Sequence, residues 1–135
     1  MARSNIHYEE KKNDLLIKLW DIFMSYGYEN TTLSLIIKKV GISKGAFYHY
    51  FLTKEACANE VVAMYAKDCS VKCSPQIKNN LRADTKFKNL TLSCCELFRE
   101  NEKNMKNINS PSNAIFHQKL MAALVKELAP LYANV

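Results

Sequence analysis

Residues that break helices are scarce in this chain, and this scarcity limits the folds that it can adopt. The 135 residues include only three glycines and three prolines. No run of alternating β-branched residues lies between turns, as is typical of strands. The stretches between the breakers instead place apolar residues three and four positions apart, the spacing of an amphipathic helix. With 48% hydrophobic residues to build a core, the pattern predicts an all-helical fold.

Four helices are predicted before residue 75. The helical spacing of apolar residues extends over 8–26, 33–40, 44–50 and 54–73. Gly27 and Gly41 follow the first two segments, where a glycine typically ends a helix. The later three segments follow hydroxyl residues, whose side chains can accept a hydrogen bond from the first helical turn. These caps are Thr31 or Thr32 for the second helix, Ser43 for the third and Thr53 for the fourth.

Two further helices are predicted after a stop at Ser74 and Pro75. The first covers about 87–100, and the asparagine-rich segment 101–113 after it is predicted to be a loop. Asn113 can then cap the last helix. The apolar stripe of that helix consists of Ile115, Phe116, Leu120, Leu124, Leu128 and Leu131. Because nothing follows this stripe, we expect it to be uncovered, so that either a partner covers it or the chain is shorter than its fold.

Two short helices joined by a tight turn at 41–43, after one long amphipathic helix, form the pattern of a helix–turn–helix unit. In such a unit the second short helix enters the DNA major groove with its first residues toward the bases. Here those residues are Lys44, Gly45 and Ala46. Lys44 can donate to a guanine edge or a phosphate, Gly45 allows close backbone approach, and Ala46 can touch a thymine methyl group.

The aromatic residues of the same helix separate by helical phase. Phe47 and Phe51 are four positions apart and share the inward face, so both are predicted to be core. Tyr48 lies about 100° away and is predicted to be exposed, with its hydroxyl near a phosphate. His49 lies about 200° away and points outward. Its role stays open.

The charge distribution favours an anionic partner. The net charge is +6, a weak indication of nucleic acid or a membrane surface by itself. The window 38–54 is more specific, because it contains no acidic residue and four lysines, Lys38, Lys39, Lys44 and Lys54. Lys54, at a helix N-terminus, offers a phosphate site together with free backbone N–H groups. Thr31 and Thr32 offer another at the start of the second helix.

The segment TTLSLIIKKVGISKGAFYHYFLTKEA, residues 31–56, resembles the DNA-binding signature of the TetR family of bacterial transcriptional repressors. The preceding YGYENTT resembles the lead-in of that signature. The resemblance covers 8 to about 73, and NAIFHQKLMAALVKELAPLY is similar to a ligand-domain helix of part of the family. It implies a helix–turn–helix domain over 1–52 and a helical effector-binding region over 53–135. It also implies a repressor that releases its DNA operator when a small molecule binds.

The resemblance also implies contacts at the positions that match the family motif. Base and groove contacts fall on Lys44, Gly45, Ala46 and Tyr50, and phosphate contacts on Thr31, Thr32, Tyr48 and Lys54. His49 is included in the interface, although the family varies there. Ile37 departs from the family, which usually has a small alanine beneath the recognition helix. The larger side chain would push that helix outward or force repacking, at a cost of about 1–3 kcal/mol.

An apolar effector would bind between helices of the second region, as in other members of the family. The residues expected around it are Met64, Phe87, Phe98, Phe116, His117 and Met121. Core packing explains these residues equally well. The family usually forms homodimers through late helices that this chain lacks, so the effector-binding domain is expected to be incomplete. Two explanations stay open: a fragment of a longer regulator, or a short form that dimerises through its last apolar stripe.

Several other classes of function have no support in the sequence. There are no paired carboxylates, no phosphate-binding glycine loop, no metal-ligand spacing and no cofactor motif, so an enzyme is not predicted. No signal peptide or membrane span is visible, and we expect a cytoplasmic protein. The five cysteines are expected to be reduced thiols. The alternative function is a small-molecule or redox-sensing helical module that does not bind DNA, which would have no need of the acid-free window.

Overall fold

The computed structural model describes residues 2–100, 105 and 107–135, with side chains from residue 5 onward. Within these residues there are six α-helices and no strand: α1 (Ala2–Tyr26), α2 (Leu33–Val40), α3 (Lys44–Tyr50), α4 (Lys54–Cys73), α5 (Ala83–Glu100) and α6 (Ala114–Ala133). Short 3₁₀ segments cover Ser74–Ile77 and Pro111–Asn113. The all-helical prediction is confirmed. The predicted loop over 101–113 lies partly outside the described residues, and its described part contains turns and the second 3₁₀ segment.

Hydroxyl caps start three of the helices, as predicted. Thr32, Ser43 and Thr53 accept hydrogen bonds from the backbone N–H groups three residues later, at 3.1, 3.1 and 2.9 Å. Thr32 rather than Thr31 is therefore the cap of α2. Gly27 and Gly41 have φ values of +83° and +79°, in the left-handed region that glycine adopts most easily. Both glycines end the preceding helix, as their positions predicted.

The core is one continuous cluster that extends through both predicted domains. Leu19 and Phe23 of α1 are fully buried at its centre. Buried residues of α2, α3, α4, α5 and α6 belong to the same cluster. The contacts between α4 and α6 are the most extensive between any two helices. The boundary between residues 52 and 53 stays a prediction, since the core does not divide there.

The apolar stripe of α6 is not uncovered, and this expectation was wrong. Phe116, Leu120 and Leu124 are buried, and Leu128 and Leu131 pack against the core. The covering surface comes largely from α4 of the same chain. Periodicity identified the stripe but could not reveal that an earlier helix lies along it. Ile115, the remaining member, is 45% exposed.

The turn after α1 is bound to the segment that precedes α6. The backbone N–H of Tyr28 donates to Asn113 Oδ1 at 2.7 Å, and that of Glu29 donates to the Ser112 carbonyl at 2.9 Å. Asn113 occupies the N-cap position of α6, but its side chain makes no capping bond. The predicted capping role is therefore wrong, because the Asn113 carboxamide is engaged by the distant turn. Asn107 adds a bond to the Met24 carbonyl at 2.8 Å.

Gly27 is required at this junction for two separate reasons. Its φ of +83° disfavours any other residue, and an added Cβ would overlap with Cβ and Oγ of Ser112. We expect Gly27→Ala to lower the free energy of unfolding by about 2–4 kcal/mol. Gly41→Ala is the matched control: its φ is similar, but an added Cβ meets nothing within 4 Å. It should cost about 1–2 kcal/mol.

Chemical denaturation of both variants measures this difference. Adding Ser112→Gly to Gly27→Ala should recover the excess loss, because it removes the atoms that the new Cβ meets. Equal losses for Gly27→Ala and Gly41→Ala would show that the close approach to Ser112 has no energetic importance.

Candidate nucleic-acid interface

The pair α2 and α3 is held against α1 by three buried side chains. Ile36 and Phe47 are fully buried and Phe51 is 2% exposed. The rings of Phe47 and Phe51 lie 5.5 Å apart. Their predicted core position is confirmed. With its inward face anchored, α3 presents the opposite face to solvent, directly after a turn that Gly41 forms and Ser43 caps.

The outward face of α3 carries four exposed residues, Lys44, Gly45, Tyr48 and His49. Tyr48 is 46% exposed, as its helical phase predicted. Ala46 is half-buried beside them. The chain has no acidic residue between Glu29 and Glu55. This surface therefore combines small residues, hydrogen-bond donors and positive charge, which suits close approach to a polyanion.

Gly45 is not required by the fold of this chain. It does not have a positive φ, and an added Cβ would meet only Ser43 Oγ, at 4.0 Å. A glycine inside a helix costs about 0.5–1 kcal/mol relative to alanine. The internal structure thus gives no reason for a glycine at the tip of α3, whereas an external surface in close contact would.

Tyr50 does not face away from the protein, and its predicted base or groove contact is not supported by its position. Its ring stacks on Tyr8 of α1, with centroids 5.1 Å apart and 23° between planes. With Ala46, it lines a groove of about 400 Å³ between α1 and the helix–turn–helix. The rings of His49 and Tyr8 make a T-shaped contact with centroids 5.4 Å apart, and His49 stays exposed. The sequence could not place Tyr50, because the start of α1 was not predicted to reach it.

Thr31 and Thr32 have different environments. Thr32 is exposed at the start of α2, where the unpaired N–H groups of a helix attract a phosphate. Thr31 is 1% exposed, and its hydroxyl donates to the Gly27 carbonyl at 2.6 Å. The Thr31 side chain is therefore not available to a phosphate, which corrects its predicted role.

Lys54 is directed toward the interior of the protein. Its Nζ donates to the carbonyls of Tyr28 at 2.9 Å and Thr31 at 3.1 Å. The ammonium also lies 4.4 Å from the centre of the Tyr28 ring, a cation–π distance. The predicted phosphate contact is replaced by a structural role, in which α4 fixes the turn between α1 and α2.

Comparisons with known proteins agree with this arrangement. Residues 19–61 match the family model described as bacterial regulatory proteins of the tetR family. Residues 96–135 match the model described as the tetracycline repressor-like C-terminal domain. The chain therefore belongs to the TetR family of bacterial transcriptional regulators. Members of this family are DNA-binding regulators and not enzymes, which confirms the prediction on catalysis.

Individual proteins are similar to this chain over very different lengths. The A-factor receptor protein of Streptomyces griseus is 39% identical over 41 residues, 30% of this chain and 15% of that protein. A solved regulator of the TetR/AcrR family is similar over 93% of this chain and 71% of its own, with 24% identity and a TM-score of 0.58. PfmR from Thermus thermophilus is similar over 89% and 69%, with 20% identity and a TM-score of 0.57. These two structures support the fold.

The departure from the TetR pattern at Ile37 has no visible cost. Ile37 is half-buried, whereas its neighbour Ile36 is the fully buried residue of α2. Phe47 remains fully buried beneath α3. The outward displacement of the recognition helix that Ile37 was expected to cause is therefore not needed.

The six residues expected around a TetR-type effector differ in their burial. Phe116 is fully buried and packs against the rings of Phe23 and Trp20. Three others, Phe87, Phe98 and Met121, are 55%, 37% and 40% exposed. His117 is half-buried, and Met64 lines a groove between α1 and α4. Apolar character alone does not distinguish core, cavity and surface, and the effector contacts stay a prediction.

An ion pair also joins α1 to α4. Lys12 of α1 pairs with Glu60 of α4 at 2.7 Å, and this hydrogen bond raises the pKa of Lys12. Like the Tyr28–Asn113 hydrogen bond, this ion pair is a contact that the sequence did not indicate.

In the described part of the chain, no group of His, Cys, Asp or Glu has the geometry of a metal site. Nor is any described helix long and apolar enough to cross a membrane.

The inward position of Lys54 makes a testable difference to stability. We expect Lys54→Met, which keeps the aliphatic stem, to lower the free energy of unfolding by about 1–3 kcal/mol, because two carbonyls lose a charged donor. Lys38→Met, at an exposed position, should change it by less than about 0.5 kcal/mol. Urea denaturation measures both variants. Equal stabilities would contradict the structural role of Lys54.

Proposed function

We propose that this TetR-family chain binds double-stranded DNA through α3 and regulates transcription from an operator. The observation that carries the proposal is the exposed tip of α3, where a glycine that the fold does not need adjoins Lys44. A solvated helix face explains the exposure of these residues, but it does not explain the helix-destabilising glycine or the absence of acidic residues from 30 to 54.

In the proposed complex, α3 lies in the major groove with its capped N-terminus toward the bases. Lys44 donates to a guanine edge, and Gly45 and Ala46 allow the helix to approach the base pairs. Thr32 and the first N–H groups of α2 contact one phosphate, and the Tyr48 hydroxyl contacts another. His49, exposed beside Tyr48, lies at the edge of the same surface. Thr31, Tyr50 and Lys54 support this surface from behind.

We further propose that two copies bind one operator. A homodimer places two recognition helices in successive turns of the major groove, about 34–36 Å apart, which requires a roughly two-fold symmetric site. The site of action is then the cytoplasm, where the bacterial chromosome lies. Sedimentation of the chain with and without DNA gives the stoichiometry.

Selection of bound duplexes from a random pool, at a stated salt concentration, tests DNA binding directly. On the selected duplex, Gly45→Ala should weaken binding about tenfold or more, because a methyl group enters the closest contact. The same variant should stabilise the free protein by about 0.5–1 kcal/mol. Gly41→Ala should lower stability instead, since its φ of +79° is unfavourable for alanine.

Because Gly45→Ala is expected to weaken DNA binding and to raise stability, a loss of affinity cannot be attributed to unfolding. If Gly45→Ala stabilises the protein and leaves affinity unchanged, the tip of α3 is not in the interface. If no duplex is enriched from the pool, the proposal of sequence-specific binding fails.

We also propose that a small, largely apolar molecule releases the operator. An open groove of about 600 Å³ between α1 and α4 is lined by Asn13, Ile17, Met64, Tyr65, Lys67, Asp68 and Val71. Ile17 and Val71 are 51% and 62% exposed there, so a ligand would bury apolar surface that now faces water. Of these two helices, α1 packs on α2, and Lys54 of α4 binds two carbonyls in the turn before α2. Ligand and DNA would then oppose each other by one coupling free energy.

The single tryptophan can report on this groove. Trp20 stacks on Tyr65 with centroids 4.4 Å apart, and Tyr65 lines the groove. We expect an anilinonaphthalene sulfonate dye to quench Trp20 by energy transfer and to weaken operator binding. Val71→Asn should reduce dye affinity about threefold to tenfold. Val125→Asn, at a site that is 67% exposed on α6, should not. Equal effects of both variants would place the dye elsewhere.

A further inference from the structure

Two thiol groups are in contact where the end of α4 packs on α5. The Sγ atoms of Cys73 and Cys94 lie 3.7 Å apart, although the residues are 21 positions apart in the sequence. Cys73 is 1% exposed and Cys94 is 8% exposed. A disulfide needs a sulfur–sulfur distance of about 2 Å. The two sulfurs therefore have to approach each other by less than about 2 Å to form the bond.

The other three cysteines have different surroundings. Cys69 is buried and lies close to the side chain of Tyr65. Cys57 is fully buried near the start of α4. Cys95 is exposed, and as the neighbour of Cys94 on a helix it points in another direction. Among the described residues, sulfur–sulfur contact thus distinguishes the pair Cys73 and Cys94 from the other thiols.

A small cleft opens on the Cys73 side of this pair. A cleft of about 170 Å³ is lined by Lys72, Cys73, Ser93, Glu96, Leu97 and Glu100. Its walls are mostly polar, so the cleft suits a small polar molecule and not a bulky apolar one. Cys73 forms part of its wall. Cys94 does not line the cleft, but it touches Cys73 and is itself 8% exposed.

We propose that Cys73 and Cys94 are an oxidation site, at which a small hydroperoxide converts the two thiols into a disulfide. The Cys94 sulfur attacks the peroxide and breaks its O–O bond, which gives a sulfenic acid on Cys94 and releases an alcohol, or water from hydrogen peroxide. The Cys73 sulfur then attacks the sulfenic sulfur, and the Cys73 proton leaves with the hydroxyl group as water. Two thiols lose two electrons and the peroxide gains them.

The order of attack follows from the environments of the two sulfurs. Burial raises the pKa of the Cys73 thiol to about 12, so Cys73 keeps its proton in the resting protein. Cys94 is also the more exposed of the two. Cys73 therefore acts second, when a sulfenic acid is already in contact with it. This site requires neither DNA nor an effector, and it stands independently of the function proposed above.

The bond would join the C-terminal end of α4 to α5. It would close a loop across the connection between these helices and so restrict the unfolded chain. We expect the oxidised protein to have a Tm higher by roughly 5–10 °C. Dithiothreitol should reverse this shift.

To test the proposal, the folded 135-residue chain is treated with hydrogen peroxide, its remaining thiols are alkylated, and its peptides are mapped by mass spectrometry. The expected product is a linked pair of peptides that contain Cys73 and Cys94. Cys94→Ala should abolish it. Cys95→Ala, one position away at an exposed site, is the matched control and should leave it unchanged.

The wild-type map alone can overturn the proposal, so the result does not depend on the folding of any variant. A dominant linkage through Cys95 or Cys69 would do so, as would the absence of any disulfide. The same distribution of linkages in folded and urea-unfolded protein would also overturn it, because the contact in the fold would then not determine which cysteines pair.

Discussion

The turn between α1 and α2 depends on distant side chains for its shape, and the position of the helix–turn–helix depends on that turn. Its polar backbone groups have little regular structure to pair with, and such groups need partners when they are buried. Asn113 and Ser112 bind the Tyr28 and Glu29 N–H groups, while Lys54 binds two carbonyls. The starts of α4 and α6 thus meet at one short segment.

This junction connects the two halves of the protein physically. Phe116, in the first turn of α6, packs on Phe23 and Tyr28, so the hydrogen bonds and the aromatic core lie side by side. A shift of the α6 start would strain the Tyr28–Asn113 bond and the close approach of Gly27 to Ser112. Either the shift is resisted or the turn moves with it. Packed interiors behave in this way because they have few intermediate arrangements.

Features that depend on neighbouring residues were predictable from the sequence. Contacts between residues far apart in the sequence were not. Helical periodicity, the caps Thr32, Ser43 and Thr53, and the inward phase of Phe47 depend on residues within one or two helical turns. Lys54 and Asn113 instead meet partners 26 and 85 positions away. An isolated lysine after a capping threonine looks the same whether it faces solvent or a carbonyl. The position of Tyr50 was not predicted for the same reason, since its partner Tyr8 lies on another helix.

Residues whose presence the fold does not explain are the ones that indicate function. Phe47, Phe51, Thr31 and Lys54 each have an internal partner, so the fold alone accounts for them. Gly45 has a structural cost and no internal benefit, and it lies on the same exposed helix face as Lys44 and Tyr48. A residue that lowers the stability of its own helix is best explained by a contact made outside the chain. We therefore base the proposed DNA-facing role of α3 less on its positive charge than on Gly45.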